Sequence, residues 1–284
     1  NGTAANSLAI ASMCHSYHSV LVHEVSHVET DECGAPEFFS IGTKILLISG
    51  EYGKLDPERV EHAVRRRTDI HYPKPRVVSL TQATELGTVY TVGEIRAVGQ
   101  LAKRLGLRVH MDGARLANAL ATLEVTPAEM TWKAGVDVLC FGMTKNGIPA
   151  GEAVIFFDKQ QAYEFDYRCK QAGQLASKMR FVSAQLLRLF EDGLWREAAG
   201  HANAMARRLA AAAAALPGVG LAYPVEANAV FLALPPAAIA RLHERYHFYV
   251  WDDDAGVVRL MCSWQTTPED VDQLADALRA AVVR

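Results

Sequence analysis

Between Arg108 and Lys145 the chain carries two short apolar runs, each ending in a charged side chain. The first, Arg108-Val109-His110-Met111-Asp112-Gly113, ends in an acid. The second, Val136-Asp137-Val138-Leu139-Cys140-Phe141-Gly142-Met143-Thr144-Lys145, ends in an amine. The chain between them is long enough for helix, turn and helix. That length makes a crossover connection, so the runs should be neighbouring or nearby strands running parallel. Open α/β sheets bind ligands beyond the carboxyl ends of such strands. The pattern therefore predicts an acid and an amine presented together at one sheet edge.

The remaining chain alternates in the same way. Ala4 to Cys14 reads as a buried helix beginning directly at Gly2-Thr3. The free amides and positive dipole end there suit an anion. Strands are expected at Val20 to Val25, Lys44 to Ser49, Arg76 to Leu80 and Ala153 to Phe157. Asp56-Pro57 opens a helix running to about Arg67, with Asp as cap and Pro in the first turn. Thr91-Val92-Gly93-Glu94 and Thr126-Pro127-Ala128-Glu129 are capping boxes, and the helix behind the first stops at Gly106. A long, mostly polar helical region is expected through Gln174, Met179 and Gln185 to about Phe190. From about Trp195 the pattern changes to an alanine-rich helix up to Leu216. A strand near Ala229 to Leu234 follows, then a helix near Ala237 to Tyr246, strands at Phe248 to Trp251 and Val257 to Trp264, and a helix capped by Thr267-Pro268. The expected fold is α/β, with a mostly parallel sheet in a large domain (1–192) and a smaller α+β domain (193–284).

A net charge of −3 argues against nucleic acid or an acidic membrane as the main partner, and no apolar run reaches membrane-helix length. The five cysteines are odd in number and scattered, which favours a reducing, cytoplasmic setting. No secretory leader is visible, and the chain starts at Asn1 without an initiator Met, as a fragment or a trimmed protein would.

One motif points elsewhere. His23-Glu24-Val25-Ser26-His27 satisfies the H-E-x-x-H zinc pattern. That chemistry needs a helix to bring both imidazoles to one face. The β-branched neighbours Val20, Val22, Val25 and Val28 favour a strand. On a strand the two histidines would stand ~13 Å apart, too far to chelate one ion. No metal is expected.

Asp112 reads either as an Asp-Gly turn capping a helix that begins at Ala114, or as a half-buried carboxylate needing a cation. Lys145 reads either as a solvated loop lysine or as an amine of lowered pKa suited to Schiff-base formation. With an anion-ready helix start, an acid and an amine are what pyridoxal phosphate (PLP) requires. The acid keeps the ring nitrogen protonated, and the lysine holds the aldehyde.

Several stretches, in order, carry a resemblance along the whole chain: Gly2-Thr3-Ala4-Ala5-Asn6, Ser26-His27-Val28, His110 to Leu116, Thr144-Lys145-Asn146-Gly147, Lys178-Met179-Arg180-Phe181 and Val258-Arg259-Leu260. Together they resemble the threonine aldolase / β-eliminating lyase family of fold-type I PLP enzymes, in its bacterial low-specificity branch. The resemblance implies retro-aldol cleavage of threonine-like β-hydroxy-α-amino acids to glycine and an aldehyde, in a homo-oligomer, dimer or tetramer, with shared active sites. It implies that Lys145 binds the cofactor covalently, Asp112 pairs with the ring nitrogen and His27 stacks on the ring. It further implies that Gly2, Thr3 and Thr144 hold the phosphate, that Arg180 reaches a phosphate in the neighbouring subunit, and that Arg115 and Arg259 fix cofactor and substrate carboxylate. Two departures stand out. The segment that precedes Gly-Thr in the family is absent here, and Thr84 occupies the place of a histidine that many members carry. β-Elimination or transamination on the same cofactor, zinc hydrolysis and a non-catalytic role of the same fold are the competing readings.

Overall fold

A computed structural model describes residues 1–283 of the chain. Its organising element is a six-stranded sheet in the order β2-β1-β3-β4-β5-β6. The strands are β1 (His18–His23), β2 (Lys44–Ile48), β3 (Lys74–Thr81), β4 (Arg108–Gly113), β5 (Val138–Gly142) and β6 (Glu152–Phe156). All neighbours pair in parallel except β5 and β6, which are antiparallel. β1 and β5 are buried along their whole length. Continuous apolar runs such as Ser19-Val20-Leu21-Val22 are what a parallel sheet covered on both faces demands.

The crossover from β4 to β5 runs through the helix Leu116–Leu123, a second short helix Pro127–Met130 and a single turn Trp132–Ala134. The two opening runs are thus adjacent parallel strands, as their spacing predicts. Register aligns Thr81 with Asp112 and Asp112 with Cys140, a row at the carboxyl ends of β3, β4 and β5. The helix Gly2–Met13 packs against that part of the sheet, burying Ala5 and Ala9 against Val138 and Cys140.

A second sheet, antiparallel, has the order β7-β8-β10-β9, with β7 (Gly220–Leu221), β8 (Ala229–Ala233), β9 (Tyr249–Asp252) and β10 (Val257–Met261). The helices Leu194–Ala214, Pro236–His243 and Pro268–Val283 accompany it, and a separate core forms around Leu209, Leu232, Val258 and Leu278.

Three expectations need correction. The helix after Asp112 starts at Leu116, not Ala114, because the Asp112 side chain accepts the Ala114 N–H and holds that residue in the turn. The polar helical region is broken into a turn at Lys159–Ala162 and helices Phe165–Gln171 and Met179–Phe190. Glu164 and Gly173, both with positive φ, interrupt it. The strand placed at Val20 to Val25 ends at His23.

Candidate active site

A cavity of about 460 Å³ opens at the carboxyl ends of the parallel strands, and β9 and β10 of the second sheet close its far wall. Gly2, His27, Asp112, Arg115, Lys145 and Arg259 all line it.

Asp112 sits on the floor, 5% exposed. Its Oδ1 accepts the Ala114 N–H at 2.9 Å, and its Oδ2 accepts from Asn6 Nδ2 at 2.8 Å. Among the described residues no Lys, Arg or His nitrogen lies within 4.0 Å of it. A buried carboxylate held only by neutral donors leaves its charge for an external cation.

Asn6 also donates to Glu32 Oε1 at 2.8 Å, and the same oxygen bonds His27 Nδ1 at 3.1 Å. The chain His27–Glu32–Asn6–Asp112 therefore fixes the imidazole ring relative to the floor acid. The Glu32 hydrogen bond raises the His27 pKa against an opposing effect of burial. Burial in turn raises the Glu32 pKa. The His27 backbone N–H donates to Glu85 Oε1 at 2.8 Å. Zinc geometry is not formed by the H-E-x-x-H residues. His23 ends β1 and bonds the Gly50 carbonyl through Nε2 at 3.0 Å, whereas His27 begins a short helix, His27–Thr30.

Lys145 lies on the turn Thr144–Asn146 directly after β5. It is accessible from the cavity, yet the surrounding protein excludes enough water to lower its pKa, and the Arg115 charge adds to the effect. No carboxylate among the described residues pairs with its amine. Close approach of β5 to the loop after β4 depends on Gly142, since a Cβ there would stand 2.7 Å from Ala114 Cα.

Arg115 and Arg259 reach the cavity from different elements, one from the loop after β4 and one from β10. Burial and the nearby Arg259 charge lower the Arg115 pKa to about 10. Burial likewise lowers that of Arg259, whose guanidinium lies 5.5 Å from the Trp251 ring centre. Neither arginine has an ion-pair partner among the described residues. Two uncompensated guanidinium groups at one cavity suit a carboxylate-bearing ligand.

The helix Gly2–Met13 presents its first turn to the same space. Asn1 caps it by accepting the Ala4 N–H at 2.9 Å. Gly2 and Thr3, at the first two helical positions, have amides without an intrahelical acceptor. A Cβ on Gly2 would meet nothing within 4 Å. Thr3, Thr144 and Arg180 are not among the cavity-lining residues. Thr144 Oγ1 donates to Glu152 Oε1 at 3.2 Å. Arg180 is exposed near the start of the helix Met179–Phe190, over the Phe181 ring. Sequence reasoning passed over Asn6, Glu32, Glu85 and Glu152 as cavity residues. The one available signal was Asn6, a polar residue on an otherwise apolar helix face.

A family model for β-eliminating lyases matches residues 1–235. The chain belongs to that family. The match includes the lining residues from the parallel sheet and its loops, whereas Arg259 and Trp251 come from β10 and β9, beyond its limit. Over 283 residues the chain is 56% identical to a low specificity L-threonine aldolase from a Pseudomonas species, covering 99% of this chain and 82% of the relative. It is 58% identical over 280 residues to a low specificity L-threonine aldolase of Pseudomonas aeruginosa, covering 98% and 81%. The solved structure of a Leishmania major threonine aldolase superposes with a TM-score of 0.93 at 29% identity, covering 99% of this chain and 82% of that one.

Proposed function

We propose that this chain is a PLP-dependent aldehyde-lyase. It cleaves L-threonine, L-allo-threonine and related β-hydroxy-α-amino acids such as phenylserine to glycine and an aldehyde. The observation that carries this reading is the pairing of an acid and an amine, both without counter-ions, across one cavity that also holds two unpaired arginines. The high identity to low specificity L-threonine aldolases supports the choice of reaction.

The residues present fit the cofactor. Asp112, bonded only by neutral donors, would hold the protonated ring nitrogen. Lys145, with a lowered pKa, would hold the aldehyde carbon. His27, its ring fixed by Glu32, would cover the ring face. Gly2 and Thr3, at the helix start, with Thr144, would take the phosphate. When bound, PLP supplies a sink for the electron pair released as the Cα–Cβ bond breaks. The remaining work falls to the chain. Arg259 and Arg115 orient the substrate carboxylate, which sets which bond at Cα is aligned for cleavage. The cavity walls exclude water, and a base must take the β-hydroxyl proton.

We place the domain division at 192/193 and the protein in the cytoplasm, in keeping with five free cysteines. We further propose that it works as a homo-oligomer, dimer or tetramer, with shared sites. Phe181, Leu187 and Phe190 are exposed on the helix Met179–Phe190, and such apolar side chains suit contact with a second copy. Arg180 on that helix would then reach the partner's phosphate. The test is product analysis with L-threonine: glycine and acetaldehyde are expected, and loss of both in Lys145→Ala. Formation of a keto acid instead would overturn the reading.

A further inference from the structure

The proposed reaction needs the substrate carboxylate held in one direction, and two arginines line the cavity, Arg115 and Arg259. Of these two, only Arg259 lies against aromatic rings among the described residues. Its guanidinium carbon is 5.5 Å from the centre of the Trp251 ring and 6.0 Å from that of the Phe231 ring. The two rings meet edge to face, 5.3 Å apart and at 81°. Phe231 is buried and meets the Tyr223 ring in turn at 5.2 Å. Trp251 is half-buried and lines the cavity itself. The cradle is thus anchored at one end in a cluster with Leu86 and Ala229 and borders the cavity at the other. Arg66, Arg67, Arg180, Arg196 and Arg245 also lie on rings, but all are exposed and each uses one ring close by in sequence.

Strand register builds this arrangement. Between β8 and β10, Arg259 stands directly opposite Phe231, so both side chains share one face of the small sheet. On the other side, β9 pairs Tyr249 with Arg259 and Val250 with Val258, then skips to Asp252 with Val257. Trp251 is therefore the extra residue of a β-bulge, a device that re-aims a side chain beside functional sites. Its indole ends over the Arg259 guanidinium.

The chemistry of the support decides what the arginine can still do. A carboxylate beside Arg259 could also hold it, but would occupy its N–H donors and offset the charge that a ligand carboxylate needs. A ring face attracts the cation through its quadrupole and leaves the N–H donors unspent. Arg259 is the second case. It has no ion-pair partner among the described residues, and its Nε makes no hydrogen bond, so contact with the rings is what directs it. We propose, on the aldehyde-lyase reading above, that Trp251 is a positioning residue: by cation–π contact it holds the Arg259 guanidinium in the orientation that takes the carboxylate of the amino-acid substrate.

Two consequences separate this role from its rivals. All substrates of the reaction carry the same carboxylate, so Trp251 acts on each of them alike. A residue that formed the wall around the aldehyde side chain would instead discriminate between small and bulky substrates. Trp251 also acts only through Arg259, so removing the arginine removes its effect.

The experiment titrates the protein loaded with PLP and follows the cofactor's absorption spectrum. Glycine is one ligand, and methylamine, which is glycine without its carboxylate, is the other. Trp251→Leu should weaken glycine binding about tenfold and methylamine binding less than about twofold. It should lower kcat/KM for L-threonine and for phenylserine by similar factors. Trp251→Phe keeps a ring face and should bring glycine binding back to within about threefold of the unsubstituted protein. In an Arg259→Gln background, Trp251→Leu should change glycine binding less than about twofold. Unweakened glycine binding in Trp251→Leu overturns the proposal. So does equal weakening of glycine and methylamine, which would make Trp251 a plain support of the cavity. A loss confined to phenylserine, which would make it a wall for the substrate side chain, overturns it too. The same loss with and without Arg259, or a Phe variant as weak as the Leu one, has the same consequence. Trp251→Met takes the place of the Leu variant should that one not fold. If the unsubstituted protein binds no PLP, or its bound PLP does not respond to glycine, the aldehyde-lyase reading itself fails, and the proposal with it.

Discussion

Glu85, buried in the cavity wall, makes a prediction that needs no cofactor or substrate. Its carboxyl titrates at about 7 in the folded chain, against an ordinary value of 4.5, because burial penalises the charged form. At about 1.36 kcal/mol per pKa unit, ionising this one side chain costs the folded state about 3 kcal/mol. The sign follows from proton binding. Between those two pH values the folded chain holds a proton on Glu85 that the unfolded chain has released, so stability falls as pH rises across that window. Below the window both states are protonated and nothing is lost. Glu85→Gln removes the titration and keeps an acceptor for the His27 N–H. Urea unfolding of the cofactor-free protein at about pH 4 and about pH 8 measures the effect. The variant should match the parent at the acidic pH and be more stable by about 3 kcal/mol at the basic one. A stability difference that is the same at both pH values, or a variant weaker at the higher pH, would refute the argument that Glu85 is desolvated.

Two further substitutions test the frame around the site. Gly142→Ala would set a methyl 2.7 Å from Ala114 Cα and 3.0 Å from Glu152 Oε2. It should cost roughly 1–3 kcal/mol, seen as a lower Tm, because backbone on one side cannot give way. Tyr90→Phe removes the hydroxyl that accepts the Leu55 N–H at 2.5 Å in a buried setting. Leaving that amide unpartnered should cost roughly 1–3 kcal/mol in urea unfolding, with faster hydrogen exchange at Leu55.

Asp112 and Lys145 were legible in the sequence because each ends an apolar run, and apolar runs separated by a crossover become adjacent parallel strands. Strand periodicity thereby fixed the edge at which both would emerge. Arg115 and Arg259 were legible only through family resemblance. Taken alone, a helix-start arginine and a strand arginine are ordinarily solvated, and what distinguishes these is burial without an ion pair. Glu32 and Glu85 were not legible at all. Each lies in irregular chain and gains its meaning from a partner distant in sequence or from a wall of the cavity: Glu32 bonds Asn6 across 26 residues, and Glu85 bonds the His27 amide across 58. The H-E-x-x-H pattern misled for a related reason. Spacing alone does not carry the backbone state, and here the chain changes from strand to helix between the two histidines. The start of the helix after Asp112 was misplaced because a side-chain-to-backbone bond postpones it.

Product identity tests the proposed reaction most directly. The protein loaded with PLP is incubated with L-threonine, and the products are followed by NMR. Glycine and acetaldehyde are expected in equal amounts, from cleavage between Cα and Cβ. Appearance of 2-oxobutyrate and ammonia without glycine would mean that the β-hydroxyl leaves while Cα–Cβ stays intact, and would contradict it.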